Sequence, residues 1–574
     1  MSRRPRRALV RPCLLVLAAV LAATLTASSA RAQVEGVLQL GDDLDRFLTR
    51  QHAAGRLDDA DLTHRPLSSA QARIFLDSLA ARDSTGRAPL SRTDRALLGA
   101  FRGTAPAAGA RWASGLWGVL YRDGRHALSA DGDGYRLVFE PLLYVGAGVA
   151  RRTEVDGQEP TVSLYQNTRG VRVAGRLGDA RKTHLFIEAR IEENQRRDAI
   201  DRYDAALGTA PRLGNVQRFG DGGIDYYRAT AVVGLRTRFV EARVARDRPQ
   251  WGPGRTSLGL SGYAAPFDHL LVNARVWRLD YATLYGATTV AEGGLKYGYP
   301  YARRFVALHR LSVRLPGRVD LSAFESVVFT DTVTRARRRG FDPAYLNPLV
   351  LLRSAEQDRA SPDNALVGVG AAWRPVGGVE AYGQFVLDEL NPGKFATDHW
   401  TNKTAWLAGV RIADAGLPGL MVGAEAARVR PFTYGHLSDL TSYRHVTSAL
   451  GHPLGANGTD VALSLDYRPS PRWTVGGDLA LTRRGRSAPG DFVGDDLSVS
   501  YLERDRDEFP TGSGIRQRLL LGEAHLSRVI APGLWLTAFV RAESIDDDAT
   551  GVTRYIAPML LLRWGLPVQS VRFD

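Results

Sequence analysis

Cysteine is almost absent from this chain: of 574 residues only Cys13 carries a thiol, and it lies in an arginine-rich N-terminal stretch. It follows Arg11-Pro12 rather than the small and apolar residues of a lipoprotein box. A mature chain beginning beyond it has no disulfide, no thiol nucleophile and no lipid anchor. No apolar run reaches the roughly 18 residues needed for a membrane-crossing helix. A Gly-x-Ser-x-Gly elbow, a His-Glu-x-x-His pair and a phosphate-binding glycine loop are also missing, which removes the usual signatures of serine hydrolases, zinc proteases and nucleotide enzymes. Asp131-Gly132-Asp133-Gly134 resembles the start of a calcium loop, but the terminal Glu is lacking, so it reads as a hairpin turn. No metal, cofactor or catalytic residue is expected.

What is present begins with an export signal. Arg3, Arg4, Arg6, Arg7 and Arg11 precede an apolar run over residues 14–25, and Ala30-Arg31-Ala32 has the small-x-small form of a signal-peptidase site. Residues 1–32 are therefore expected to be a signal peptide cleaved after Ala32, with Gln33 as the first mature residue. The flanking residues fit twin-arginine export poorly, which favours general secretion. The formal charge of +14 would suggest nucleic acid. Export argues against it, and six arginines leave with the leader. Lysine is scarce beside arginine, and an arginine-rich surface suits sulfate, phosphate or carboxylate groups on extracellular glycans or lipopolysaccharide.

Residues 33–108 read as helical. Leu40, Leu44, Phe47 and Leu48 share one face, with Gly55 as a stop. Ser68-Ser69-Ala70-Gln71 has the form of a capping box ahead of Ala72, Phe75, Leu76 and Leu79. Ser91-Arg92-Thr93-Asp94 is a weaker start before Leu97, Leu98 and Phe101, ended by Gly103. Three short amphipathic helices follow, and their apolar faces need a partner.

From residue 109 onward the period becomes two. Leu185, Ile187 and Ile191 alternate with His184, Glu188, Arg190 and Glu192; Val461, Leu463 and Leu465 with Asp460 and Asp466; Leu536 and Val540 with Thr537, Arg541 and Glu543. Such strands, about ten residues long with one aliphatic and one charged face, fit a bilayer-crossing barrel around a polar lumen better than a sandwich. Trp373, Tyr467, Trp473 and Trp564 near strand ends suit interfacial girdles. The mean hydropathy of −0.19 is no objection, because lumen and loops dilute the lipid face. At about 25 residues per strand with its connection, 16 to 18 antiparallel strands are expected over residues 109–574. The chain ends Val571, Phe573, Asp574, so an acid follows the terminal aromatic that assembly machinery usually reads.

One strand is interrupted by an unusual segment. Val240, Ala242 and Val244 alternate with Glu241 and Arg243, and then Arg246-Asp247-Arg248-Pro249-Gln250-Trp251-Gly252-Pro253-Gly254 compresses charge, an aromatic ring and chain breakers together. Ser257-Leu258-Gly259-Leu260-Ser261 follows. Further on come His309-Arg310, Phe324-Glu325-Ser326, Phe341-Asp342-Pro343-Ala344-Tyr345-Leu346-Asn347-Pro348, Asp363-Asn364-Ala365-Leu366, and Tyr382-Gly383-Gln384-Phe385-Val386-Leu387-Asp388-Glu389. In order and approximate spacing from 240 to 390 this set resembles the Wzi family of capsule assembly proteins.

The resemblance implies an 18-stranded outer-membrane barrel whose periplasmic end is plugged by a small helical bundle. It further implies a lectin that binds capsular or extracellular polysaccharide and assists its attachment, without catalysis. Candidate ligand contacts are Arg246, Asp247, Arg248, Gln250, Trp251, His309, Arg310, Glu325, Asn347, Asp363, Asn364, Gln384, Asp388 and Glu389. Sugar recognition uses carboxylates, amides, guanidinium groups and an aromatic platform, which Arg246 to Trp251 supply together. The other reading of the same residues is structural: ion-pair ladders stiffen barrel walls, and Trp251 can pin a turn. Outer-membrane lipid, lipopolysaccharide and the barrel assembly machinery are the further expected partners of a monomer. Two alternatives stand beside the lectin: a porin-like channel for sugars or anions, and a hydrolase using lumen acids or His309. Asp388 and Glu389 make a poor glycosidase pair, since neighbours on a strand point to opposite faces.

Overall fold

The structure, a computed structural model, describes residues 35–569 apart from 59, 105–120, 122–125, 154–156, 158–159, 180–181, 201, 206, 221, 291–303, 331, 335–336, 339–341, 349–350 and 358–362. The leader and its cleavage site, residue 109, Phe341, Val571, Phe573 and Asp574 lie outside the described residues.

Among the described residues eighteen antiparallel strands close into a barrel. They are β1 (Tyr135–Thr153), β2 (Thr161–Gly178), β3 (His184–Arg197), β4 (Gly223–Arg236), β5 (Val240–Asp247), β6 (Phe267–Val276), β7 (Leu279–Thr288), β8 (Arg304–Leu315) and β9 (Val319–Thr330). The second half comprises β10 (Asn364–Val376), β11 (Val379–Glu389), β12 (Lys403–Ala413), β13 (Leu420–Val429), β14 (Gly458–Ser470), β15 (Trp473–Arg486), β16 (Ile515–Ala531), β17 (Leu534–Asp547) and β18 (Gly551–Trp564). Each strand pairs with its neighbour in sequence, and β18 closes on β1 through Trp564↔Leu143 to Arg554↔Thr153. Closure satisfies every edge, the condition for placing a sheet in lipid.

The alternation of the sequence is the alternation of the wall. Val244, Ile191, Val233, Leu463 and Leu560 point outward and are 65%, 56%, 57%, 51% and 59% exposed, an apolar belt that only lipid can cover. Glu188, Arg190, Glu192, Asp460, Arg541 and Glu543 point inward and are buried. Short turns such as 277–278, 377–378, 471–472 and 532–533 lie at one end, and connections such as 248–266, 331–363, 430–457 and 487–514 at the other. By the usual asymmetry of such barrels the short-turn end is periplasmic. Trp373, Tyr467, Trp473 and Trp564 all stand near that end, as does Trp277, which is 80% exposed.

The three helices sit at the periplasmic mouth. They are α1 (Asp43–Ala53), α2 (Ser69–Ser84) and α3 (Arg92–Arg102). The Ser68 hydroxyl accepts from Gln71 N at 3.3 Å and the Ser91 hydroxyl from Asp94 N at 3.1 Å, so both expected caps form. The box at Ser68 is only half made, because Gln71 Oε1 instead accepts from Arg236 of the barrel wall at 2.7 Å. Gly103, at φ +69°, ends α3 in the left-handed conformation that favours glycine. The helices find their apolar partner in one another: Leu44, Phe47, Leu48, Phe75, Leu76, Leu79, Leu97 and Leu98 form one buried cluster.

The lumen differs from the uniformly polar one expected. Inward-facing residues of β6 to β13, among them Leu271, Leu284, Leu308, Phe324, Leu366, Val386, Leu407 and Val429, form one apolar cluster with Trp251, Leu258, Leu260, Tyr434 and Tyr443 from two long loops. An apolar half-wall needs a filling, and the loops folding inward supply it. Charged groups line the opposite half, β14 to β18 and β1 to β4, and also stand beside the apolar cluster, as Arg310, Arg374, Glu380, Arg411 and Glu425 do.

Ion pairs fix the plug to the wall. Arg50 of α1 bonds both Asp94 of α3 and Asp414 in a periplasmic turn, the latter at 2.7 Å, with the Asp94 side chain fully buried. Replacing Arg50 by Ala strands a buried carboxylate, a loss of about 3 to 5 kcal/mol. Arg50→Ala is therefore expected to expose residues 43–102 to trypsin while the barrel keeps its heat-modifiable migration on gels. Asp94→Ala added to Arg50→Ala is expected to restore part of the protection.

Candidate functional site

After Asp247 the chain leaves the wall and folds into the lumen. Gln250 and Trp251 pair antiparallel with Arg65 and His64 of the plug segment on one side and with Ser261 and Leu260 on the other. Gly252 N donates to Thr63 O at 2.7 Å, and the Trp251 ring meets His64 edge-on at 5.9 Å. Gly252 has φ +140°, a backbone conformation that favours glycine, and it lies directly against the Gln384 amide. Leu258 N donates to Gln384 Oε1 at 3.0 Å; Arg255 N, Thr256 N, Thr256 Oγ1 and Tyr382 OH all donate to Glu425, at 2.6 to 3.1 Å. Tyr434 and Tyr443, from the 430–457 loop above, donate to Leu258 O and Gly259 O at 2.9 and 3.0 Å. Residues 248–266 thus form a septum joining the periplasmic plug to an extracellular loop.

The residues named from sequence fall in three places. Gln250, Trp251 and Gln384 belong to the septum, and Trp251 is 2% exposed. Arg310 faces the lumen and donates to the Thr63 hydroxyl of the plug segment, while Asp388 accepts from Tyr434 N at 2.7 Å and Glu389 pairs with Lys403 at 2.8 Å. Asp247 and Asn364 are also buried in the lumen, Asp247 at 3.2 Å from His269 Nε2. Arg248 lies beyond them at the start of the loop.

A second group stands outside. Arg246 lies on the outer face at the extracellular end of β5, 2.9 Å from Asp268, with both side chains at least half exposed. His309 and Glu325 share the outward register of Leu311 and Leu321 and pair at 3.1 Å. They are covered because part of the 331–363 connection lies over the outer wall: Leu352 N donates to Glu325 at 2.9 Å, Tyr281 OH donates to Pro348 O, and Tyr345 OH donates to Asp363 at 2.8 Å. Tyr345 and Leu352 pack there on Ala307, Val327 and Phe329. Asn347, at the end of the short 3-10 turn Pro343–Leu346, is exposed. The fourteen residues therefore do not converge on one cavity.

Cavities lie where charged side chains line the lumen. One of about 320 Å³ is bounded by Arg46, Arg255, Arg411, Glu425, Asp466, Asp478 and His525, and a larger one of about 770 Å³ lies between the plug and the periplasmic wall. Nearer the extracellular side, Tyr165, Gln166, Arg196, Arg212, Arg228 and Arg541 line a smaller cleft. Sequence reading placed Arg190 and Glu192 on a polar strand face but missed Arg212, Tyr226 and Arg228, which carry no local motif.

Two loop histidines make the loop package acid-sensitive. Burial, then Lys403, pushes His436 down to about 3; burial, then Arg304, pushes His445 down to about 4. Both stay neutral when folded, so stability is complete above about pH 6.5, where the unfolded chain is also neutral, and falls as pH drops from 6.5 towards 4. Protease cleavage within 430–457 is expected to rise over that window, and His445→Gln is expected to flatten the rise.

No protein-family model matches the chain, and no curated protein matches it in sequence. Among solved structures it is similar to Wzi, described as an outer membrane protein involved in group 1 capsule assembly in Escherichia coli and a carbohydrate-binding β-barrel. That likeness spans 93% of this chain and 100% of the other at 12% identity with a TM-score of 0.52. OccK5 and OprD of Pseudomonas aeruginosa match 74% of this chain at 11% and 10% identity, each with a TM-score of 0.38. They cover 98% and 94% of their own chains. What the chain shares with Wzi at this identity is the fold, that of a closed 18-stranded outer-membrane barrel.

Proposed function

We propose that the protein is an outer-membrane lectin that binds surface polysaccharide and assists attachment of a capsule or exopolysaccharide, with no catalytic step. The observation that carries this reading is the septum. A barrel whose 248–266 loop is bonded to the plug below and to the 430–457 loop above is built as a body with a surface rather than as a pore. The carbohydrate binding printed for Wzi, a barrel of the same fold, agrees with it. Lipid and lipopolysaccharide surround the belt, the barrel assembly machinery delivers the chain, and the monomer is the working unit.

The charged cavities keep one other reading in view, a channel for sugars or anions on the unfilled side of the lumen. Planar-bilayer recording separates the two. Purified protein is expected to show no steady open conductance, and a persistent open level would favour the channel. In the native host, deletion is expected to lower surface-attached polysaccharide and raise the cell-free fraction; unchanged attachment would remove the capsule role.

A further inference from the structure

Behind the last wall strand the chain turns back into the lumen. Up to its final residue, Trp564, β18 is paired with β17 on one side and β1 on the other, so no free edge is left for the chain beyond it to extend. Gly565, at φ +66°, makes the turn, and its N donates to Gly533 O at 3.2 Å. Arg563, on the lumen face, then donates to Leu566 O at 2.8 Å. Leu566 is buried on Leu142, Tyr144, Phe539 and Leu561, inward-facing side chains of β1, β17 and β18, and Val568 packs against the same group. An apolar island on a wall otherwise rich in ions needs a cover, and this tail supplies it. At its upper end the Gln569 side chain accepts from Gln166 Nε2 of β2 at 3.1 Å. Trp564 stands opposite Leu143 of β1 and Gln166 opposite Gly146, so the tail has climbed about 10 Å inside the wall.

On that climb the tail borders three cavities in succession. Gly565, Leu566 and Pro567 line the chamber of about 770 Å³ at the periplasmic side, Val568 the chamber of about 320 Å³, and Gln569 the cleft nearer the extracellular side. The upper two share Arg212 and Phe539 in their linings. Between the lower two stands the first turn of α1, tied to β14 by Asp43 with Arg468 at 3.0 Å and Arg46 with Asp466 at 2.7 Å. From this placement we infer that residues 565–569 are a stopper, which with the first turn of α1 keeps the three cavities from joining into one water-filled path through the barrel. It is the counterpart of the 248–266 septum on the side that the septum leaves open. The wall does not depend on it, because both edges of β18 are already paired. The inference rests on the reading of a barrel without a pore and adds the element that shuts it.

Planar-bilayer recording of three purified forms tests it: the full chain, a chain stopped after Gln569 and a chain stopped after Trp564. The first two are expected to stay closed and the third to show a persistent open level, with heat-modifiable migration establishing that each is a folded barrel. A full-length Leu566→Glu variant, which puts a charge into the apolar island, is expected to spend at least tenfold more time open than wild type. A folded chain stopped after Trp564 that stays closed overturns the stopper and leaves the polysaccharide reading, which deletion in the host tests, standing. Equal opening of the two shortened chains overturns the assignment to residues 565–569. If the shorter chain does not fold, Leu566→Glu decides, and a closed Leu566→Glu barrel overturns the stopper. A steady open level in the full chain overturns both the stopper and the reading of a barrel without a pore.

Discussion

A closed sheet of eighteen strands is too wide for its own side chains to fill, and most of what is distinctive here follows from that constraint. Closure gives each backbone group its partner and lets an aliphatic belt face lipid, but it leaves a lumen that water or chain must occupy. This chain uses itself. Three helices enter from the periplasmic mouth, residues 248–266 fold down from the extracellular side, and the two meet where Gln250 and Trp251 pair with Arg65 and His64. The 430–457 loop closes the stack from above through Tyr434 and Tyr443.

That filling divides the lumen in two. Along β6 to β13 the wall carries an apolar cluster that the loops complete as a packed core, Tyr434 and Tyr443 included, with buried ionic groups such as Arg411 and Glu380 beside it. Along β14 to β18 and β1 to β4 the wall carries ions in mutual contact, such as Arg541 with Glu523 at 3.0 Å and Arg172 with Glu188 at 2.9 Å. Desolvating such groups is costly unless each finds a partner, so most are paired within the wall.

Much of the architecture was legible because it obeys local rules. The two-residue alternation named the lipid and lumen faces of β3, β14 and β17, and the starts of α2 and α3 were written in Ser68 and Ser91. The lumen core was not legible, since alternation tells inside from outside but not what fills the inside. The candidate site was legible only as a set. Gln250, Trp251, Gln384 and Arg310 are near one another around the septum, but nothing in their spacing shows that the partners they meet are the chain's own Thr63, Gly254 and Leu258.

The outer wall makes the same point more sharply. A carboxylate facing lipid near mid-membrane costs on the order of kilocalories, yet Glu325 occupies the lipid-facing register beside His309. The cost is relieved by cover: Leu352 N takes one carboxylate oxygen, His309 the other, and Tyr345 lays its ring 4.8 Å from Phe329 to shield the patch. The Asp342 to Pro348 turn, Asp363 and the His309–Glu325 pair are then parts of one joint, and their shared order along the chain has a packing cause. A polar group whose bonds are completed by its own chain has little left to offer a sugar.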